Sequence, residues 1–254
     1  MKVFKEIHLK ANGGNKILYF GMPDSNDELK AMFEMRYKIY SKLNYISKDQ
    51  FSDRIEQDGY DREKKCDYFI AKIDGQIVGS ARLVQDYYLP TEKECFKFEE
   101  PVGIKNIPRK NRGEIGRLII TRSKQHNKFM PPHLILLGIL DSIMNLSFKK
   151  DLRVGYSFIK ESLRRKIKKL NIPFRTIKSF TKIYSKKHLW GYFHDPKDSV
   201  SPVYYFRDEA HKYFKRIFFN KKIFKKIGKR KFLYLLGNNS WKFLFYIKFP
   251  SLFH

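Results

Sequence analysis

The amino-acid sequence predicts an α/β fold in which helices pack on a mixed central sheet. One observation is a β-hairpin, because the strand-like runs CDYFIAKID and QIVGSARLV are joined by the turn pair Asp74-Gly75. A second is the run ELKAMFEMRYKIYSKLNY before it, which repeats apolar residues at helical spacing. A third is the alternation of strand-like and helix-like runs after residue 113, which is typical of an α/β sheet.

The predicted elements follow in chain order. Residues 1–23 are expected to form an edge strand, KILYFG, and a loop, after which Ser25 or Asp27 caps the first helix. Between the hairpin and residue 113, three prolines interrupt any long element. Beyond it we predict a buried strand, an apolar helix, a strand, a basic helix and a further strand, in the runs GEIGRLIIT, HLILLGILDSIMNLSF, LRVGYSFI, ESLRRKIKKLN and IPFRTIKSF.

Length and composition limit the class of protein. A chain of 254 residues that is 42% hydrophobic can bury one large core with an extension. Its cysteines, Cys66 and Cys95, have neither CxxC spacing nor a histidine cluster, so no disulfide framework or zinc site is indicated. Without a signal-peptide pattern or a long apolar run, the chain is expected to be cytoplasmic.

The positive charge lies mainly in the second half of the chain. Residues 147–254 carry 28 of the 53 Lys and Arg residues but only 6 of the 26 Asp and Glu residues. Such a surface attracts nucleic acid, anionic lipid or an acidic protein. A basic nucleic-acid-binding protein is therefore an alternative from another class, although no helix-turn-helix, RNP or zinc-finger signature is visible.

The last 45 residues suggest a separate extension, so we divide the chain into a domain at 1–209 and a basic, aromatic-rich extension at 210–254. A helix there would place apolar residues on one side, opposite lysines, as an interfacial helix on the inner membrane face does. The alternative is a helix docked on its own domain. The predicted apolar side consists of Phe214, Ile217, Phe218, Phe224 and Ile227.

Three short motifs carry the chemical signal. They are Glu56-x-Asp58-x-Tyr60-Asp61, Val78-Gly79-x-x-Arg82-Leu83 and Glu114-x-x-Arg117-Leu118. Carboxylates this close together repel one another unless cations meet them. We expect Arg36, Arg82 and Arg117 to be those cations, because an arginine fork can hold a carboxylate with two hydrogen bonds. The result would be a rigid charged wall beside a pocket.

These motifs, together with RYKIY and Tyr45, resemble in order the signature of acyl-homoserine-lactone synthases, N-acyl amino acid synthases and exosortase-associated acyltransferases. The resemblance covers residues 33–122. It implies a GNAT-like three-layer α/β fold and an N-acyltransferase activity. The substrate-binding residues that it implies are Arg36, Tyr40, Tyr45, Glu56, Asp58 and Asp61, and the catalytic ones are Glu114, Arg117 and Arg82.

Two departures bear on the acceptor. Homoserine-lactone synthases typically have Trp and Ser where this chain has Gly113 and Gly116. The segment RLVQDYYLP is more similar to the exosortase-associated and N-acyl amino acid branch than to the homoserine-lactone synthases. We therefore favour the amine of an amino acid or a similar small acceptor, with S-adenosylmethionine and an acyl-homoserine-lactone product as the alternative.

The reaction implied by this resemblance needs few groups. Glu114 would take the proton of the acceptor ammonium, and a backbone N–H of the strand 114–120 would stabilise the oxyanion. The basic loop 122–127 has no glycine to cradle a pyrophosphate, which favours the acyl-phosphopantetheine of acyl carrier protein over acyl-CoA as donor. No metal and no permanently bound cofactor is expected. An acyl tunnel, or simply a core, could be formed by Leu134, Leu137, Ile139, Leu140, Val154 and Tyr156.

Overall fold

The protein is described by a computed structural model, which covers residues 1–11, 14–121, 130–131, 133–184, 190–219, 224–226, 232–234 and 243–248. The strands are β1 (Lys2–Ala11), β2 (Gly14–Met22), β3 (Cys66–Ile73), β4 (Gln76–Val84), β5 (Phe96–Phe98), β6 (Arg112–Ile120), β7 (Val154–Lys160), β8 (Phe174–Thr176), β9 (Phe180–Lys182), β10 (Val200–Phe206), β11 (Phe224–Lys226), β12 (Phe232–Tyr234) and β13 (Phe243–Lys248). The helices are α1 (Asn26–Lys42), α2 (Gly59–Arg62), α3 (Val102–Lys105), α4 (Leu134–Lys149), α5 (Glu161–Lys169), α6 (Trp190–Phe193) and α7 (Arg207–Phe219).

The main sheet is mixed. Its strand order is β11-β12-β13-β1-β2-β3-β4-β6-β7-β10-β8. Among the described pairings, β6 and β7 run parallel while the other neighbours run antiparallel. The predicted α/β architecture with a mixed central sheet, and its Asp74-Gly75 hairpin between β3 and β4, are confirmed.

Helices cover both faces of this sheet and complete three layers. On one face, α4 packs against β2, β3 and β4, and the apolar sides of α5 and α7 join the same core. On the other face, Met32 and Phe33 of α1 pack on Ile70 of β3. As predicted, Ser25 caps α1 by accepting a hydrogen bond from the Glu28 backbone N–H at 3.2 Å. The first helix is therefore fixed in front of the sheet.

The parallel pair β6/β7 separates along its length. Its described ladder pairs run from Arg112↔Val154 to Glu114↔Tyr156 and go no further. On the β4 side, the register shifts between Ser80 and Arg82, and Arg117 has a left-handed φ of 53°. A shift of this kind is a β-bulge, which leaves a residue outside the ladder and bends the strand. Between Glu114 and Ile120, β6 thus diverges from β7 and is irregular against β4.

Two sequence predictions on the fold are wrong. The strand KILYFG is not an edge strand, because β2 pairs with β1 on one side and β3 on the other. The buried side of β1 includes Lys5, whose charge hid the alternation and which pairs with Asp141 of α4. Phe224 is not on the C-terminal helix either, since it lies in β11.

The docked alternative for the C-terminal helix is confirmed as far as α7 extends. Phe214, Ile217 and Phe218 are buried in the main core, so they face the domain and not a membrane. Ile227 lies outside the described residues. The division at residue 209 and the membrane contact of 210–254 stay predictions. In the described part of the chain, no helix combines the length and apolarity that a membrane crossing requires.

Candidate active site

Three arginines and three carboxylates form a closed ring of ion pairs beside β4 and β6. Each arginine contacts two carboxylates, and each carboxylate contacts two arginines. The ring therefore alternates in charge and has no net charge. In the order of contact its members are Arg36, Glu56, Arg117, Asp58, Arg82 and Asp61.

Directed hydrogen bonds hold the ring. Glu56 accepts from the Nε of Arg36 at 2.6 Å and from the Nε of Arg117 at 3.1 Å. Asp58 accepts from both terminal nitrogens of Arg82 at 2.6 Å and from Arg117 Nη2 at 2.9 Å. Bidentate contacts of this kind fix orientation as well as distance.

Asp61 closes the ring and also fixes the local backbone. It accepts from Arg36 Nη2 at 2.8 Å and lies 3.0 Å from Arg82 Nη1. Asp58 and Asp61 form a capping box at the start of α2, in which each side chain accepts the other's backbone N–H. The acidic loop is therefore tied to α1, β4 and β6 at once.

Burial and charge act in opposite directions on these groups. Burial alone would raise the pKa of Asp58, but Arg117 and Arg82 hold that pKa well below its usual value. Burial would likewise raise the pKa of Asp61, but Arg36 and Arg82 lower it. Removing one charge from such a set would leave its partner uncompensated in a buried place. The ring is thus a rigid scaffold whose members are committed to one another.

A cavity of about 550 Å³, which we call the polar cavity because half of its lining residues are charged, lies against one side of the ring. Asp58, Arg82 and Arg117 belong to both the ring and the cavity wall. The Nε of Arg82 is buried and has no hydrogen-bond partner among the described residues. The rest of the wall consists of Gly59, Tyr60, Glu63, Lys65, Asp86, Pro90, Lys93, Glu94, Cys95, Phe158, Ile183, Tyr184 and Phe193.

A mainly apolar pocket of about 230 Å³, which we call the tunnel, lies where β6 and β7 diverge. Its wall takes residues 115–120 of β6 and 157–160 of β7, and it shares Arg117 and Phe158 with the polar cavity. The two spaces therefore meet at these two side chains. Other wall residues come from α1, α4, α5 and α6, and they include Ile39, Leu43, Leu140, Leu163, Ile167 and Tyr192.

Of the six apolar residues predicted to form a tunnel or a core, Leu140 lines the tunnel. The other five are buried but do not line it, so the core alternative holds for them. They are Leu134, Leu137, Ile139, Val154 and Tyr156.

Glu114 lies at the point where the β6/β7 ladder ends. Its side chain is 1% exposed and accepts the backbone N–H of Thr91 at 2.6 Å. Burial raises the pKa of Glu114 to about 8, against the opposing effect of the Thr91 hydrogen bond. A carboxyl group that titrates near neutral pH can both take and release a proton. Glu114 is not part of the cavity wall, because the single π-helical turn Thr91–Cys95 covers it.

The other predicted site residues divide between the two spaces and the scaffold. Tyr40 and Tyr45 line the tunnel and are in ring contact, with centroids 5.8 Å apart. Arg36, Glu56 and Asp61 line neither space and form the back of the charged ring. The basic loop 122–127 lies outside the described residues. Within the described part, no group of three or more His, Cys, Asp or Glu side chains could hold a metal ion.

Several residues of the site were not predicted from the sequence. Thr91 acts on Glu114 through its backbone N–H, which any residue but proline could supply. Phe158 and Tyr192 belong to segments without a chemical motif, and Tyr192 donates to the Phe158 carbonyl at 3.2 Å. The polarity of Glu94 gave a weak signal, but only the π-helical turn places it in the cavity wall.

Residues 31–150 match the family model described as "N-acyl amino acid synthase FeeM". That segment contains all nine of the predicted site residues and the whole charged ring. This match, over 120 of the 254 residues, supports an N-acyltransferase of the autoinducer-synthase and N-acyl amino acid synthase type. The resemblance predicted from the sequence is thereby confirmed. No curated protein sequence matches the chain.

Solved structures of similar fold include members of both branches. The AHL synthase LasI is 14% identical, with a TM-score of 0.52 over 76% of this chain and 90% of its own. BjaI, a CoA-dependent acyl-homoserine lactone synthase solved with SAM and isopentyl-CoA, is 13% identical, with a TM-score of 0.50 over 75% and 82%. FeeM, from uncultured soil microbes, is 9% identical, with a TM-score of 0.50 over 76% and 92%. At these identities the likeness is one of fold.

Proposed function

We propose that this N-acyltransferase moves a fatty acyl group from a phosphopantetheine thioester to the amine of an amino acid. The observation that carries the proposal is the meeting of an apolar tunnel and a polar cavity at Arg117 and Phe158. A fatty thioester and a charged acceptor need opposite surroundings, and their reacting atoms must come together. Two dissimilar spaces with a shared wall meet that requirement.

The tunnel suits the donor. Its wall is mostly aliphatic and aromatic, and it takes residues from α1 on one face of the sheet and from α4 and α5 on the other. At the bulge, Arg117 and Leu118 have no described ladder partner on β4 or β7. Backbone N–H groups of this stretch are therefore our candidates for stabilising the oxyanion of the tetrahedral intermediate.

The cavity suits an acceptor that carries a carboxylate as well as an amine. A buried arginine N–H without a partner costs free energy, which an anionic ligand group would offset. Arg82 offers such a donor through its Nε. This unpaired donor supports an amino acid over a simple amine.

The reaction needs one proton acceptor and no redox chemistry. The acceptor ammonium loses a proton, and the neutral amine attacks the thioester carbonyl to form a C–N bond. The C–S bond then breaks, and the thiolate leaves and takes up a proton. Glu114 is our candidate for the base, acting through an intervening group because it does not reach the cavity itself. The products are an N-acyl amino acid and a free thiol.

For the donor we favour acyl carrier protein over acyl-CoA. The net charge of +27 gives this protein a field that attracts an acidic partner. In the described part, helix α5 presents the exposed basic residues Arg165, Lys166, Lys168 and Lys169 just beyond Leu163 of the tunnel wall. A carrier protein docked there would bring its phosphopantetheine arm to the tunnel.

The test is a panel of donors and acceptors. The protein is incubated with acyl carrier protein thioesters or acyl-CoAs, together with S-adenosylmethionine, each amino acid or the matching decarboxylated amine, and products are identified by mass spectrometry. We expect N-acyl amino acids, with little product from the decarboxylated amines. An acyl-homoserine lactone from S-adenosylmethionine would contradict the proposed acceptor.

A variant tests the assigned base. Glu114→Gln keeps the shape of the side chain and should lower turnover at least about 100-fold, the usual contribution of a proton-transfer group. Glu99→Gln is the matched control, because Glu99 is 84% exposed and pairs with Lys105 at the surface. Wild-type turnover by a folded Glu114→Gln protein would show that Glu114 is not the base.

A further inference from the structure

The carboxylates of the polar cavity differ in whether a cation already holds them. Asp58 belongs to the charged ring, while Glu63 and Asp86 lie 2.7 and 3.0 Å from the Nζ of Lys65. Glu94 also lines the cavity and is exposed to it. Among the described residues, no Lys or Arg lies within salt-bridge distance of Glu94. Glu94 is therefore the wall carboxylate available to a cation from outside.

The hydroxyl group of Tyr60 is buried and has no hydrogen-bond partner among the described residues, and the charges of Glu94 and Glu114 act on it. The side chain of Tyr60 lines the cavity but is only 8% exposed. Burial raises the pKa of its phenol, and Glu94, followed by Glu114 and Asp86, raises it further. The hydroxyl group therefore stays protonated, close to Glu94 and within the electrostatic reach of Glu114.

The backbone couples the two glutamates as well. Glu114 accepts the Thr91 N–H at the start of the π-helical turn, and Glu94 lies on the same turn three residues later. π-Helical turns are frequent at functional sites because they redirect side chains. In this protein the turn covers Glu114 and projects Glu94 into the cavity. An acceptor in the cavity thus meets Glu94 and not Glu114.

We infer that Glu94 binds the ammonium group of the acceptor and takes its proton, and that Tyr60 links Glu94 to Glu114 behind it. The inference rests on the proposed function and identifies the intervening group which that proposal requires. The ammonium N–H bond breaks as the Glu94 O–H bond forms, leaving a neutral amine whose electron pair can attack the thioester. The proton can then pass from Glu94 through the Tyr60 hydroxyl to Glu114, and no other reactant is needed.

The charged and titratable surroundings of Glu94 come from several elements. Its own turn carries Lys93 and Cys95, α2 supplies Tyr60, β4 supplies Arg82, and β6 supplies Glu114 and Arg117. The segments that follow α2 and β4 add Glu63, Lys65 and Asp86. The two arginines are already committed to the charged ring, Lys65 pairs with Glu63 and Asp86, and Lys93 does not lie within salt-bridge distance of Glu94. The acceptor ammonium would therefore be the cation that balances Glu94.

Acceptors that differ in protonation give the sharpest test. The wild-type protein is first tested for acylation of an amino acid. If it fails this test, the proposed function is wrong and the role of Glu94 falls with it. Glu94→Gln should then lower kcat/KM for that ammonium acceptor about 100-fold. For aminooxyacetate, which keeps a carboxylate but whose amine is largely neutral at pH 7, the loss should be much smaller once the uncatalysed reaction is subtracted, because no proton has to be removed before attack. The KM for the acyl donor should not change.

Controls separate this role from a structural one. Glu99→Gln, a substitution of an exposed glutamate five residues away, should behave as wild type. Glu94→Asp should recover part of the lost activity, and Tyr60→Phe should lower kcat without raising the acceptor KM. An equal loss for both amines in Glu94→Gln would overturn the inference, and so would full activity of that variant.

Discussion

The two spaces that meet at Arg117 and Phe158 are built by different forces. The polar cavity borders a ring of six charged side chains, each held by hydrogen bonds of defined direction. The tunnel is bounded mainly by aliphatic and aromatic groups, whose contacts have no preferred direction. A charged group tolerates little displacement, whereas an apolar wall can repack around a new shape.

This difference indicates where the enzyme is rigid and where it can vary. A substitution in the ring leaves an uncompensated charge in a buried place and should affect the whole fold. A substitution in the tunnel changes a volume and should affect mainly which acyl chain fits. Position and chemistry of the acceptor would thus be fixed, while donor length could change with few mutations.

Breaking the ring should have the largest effect. Asp61→Asn removes a charge that contacts both Arg36 and Arg82, and we expect the free energy of unfolding to fall by about 3–5 kcal/mol. Chemical denaturation measures this change. Asp49→Asn, at an exposed site, should change stability by less than about 1 kcal/mol. Equal stability of the two variants would mean that the ring does not stabilise the fold.

The pH dependence of the reaction should follow Glu114. Its pKa of about 8 means that, below pH 8, kcat should fall about tenfold per pH unit as the base becomes protonated. Glu114→Gln should remove this dependence. Because the pKa of Glu114 is higher in the folded protein than in the unfolded chain, its protonated form favours the folded state. The stability that this group contributes should therefore be lost as the pH rises from 4.5 to about 8. Denaturation of the wild-type protein and of Glu114→Gln at several pH values measures this contribution to stability.

The smallest effect should come from the tunnel. Ile167→Val removes one methylene from its wall, and we expect a stability loss of about 0.5–1.5 kcal/mol together with better use of longer or branched acyl chains. Competition between donors of different chain length measures the preference. Ile70→Val is the control, because Ile70 is equally buried but lines neither space. The same change of preference in both variants would argue against the tunnel as the acyl site.

The sequence determined the hairpin, the helices that flank it and the membership of the charged ring. Asp74-Gly75 favours a tight turn through its own backbone preferences, and the spacing of apolar residues indicates a helix without any knowledge of tertiary contacts. Three acids close together in the chain require cations, and Arg36, Arg82 and Arg117 were the arginines predicted to meet them.

Only the tertiary structure decided how these parts make a site. The divergence of β6 from β7 after Glu114 accompanies the bulge at Arg117. No pattern in the local sequence predicts where the hydrogen bonds between two parallel strands end. The same divergence separates Leu140, which lines the tunnel, from core residues of the same composition on α4. Burial of Glu114 and exposure of Glu94 depend on the turn packed over β6. Hydrophobicity and charge are properties of single residues, whereas a cavity is a property of the space between elements.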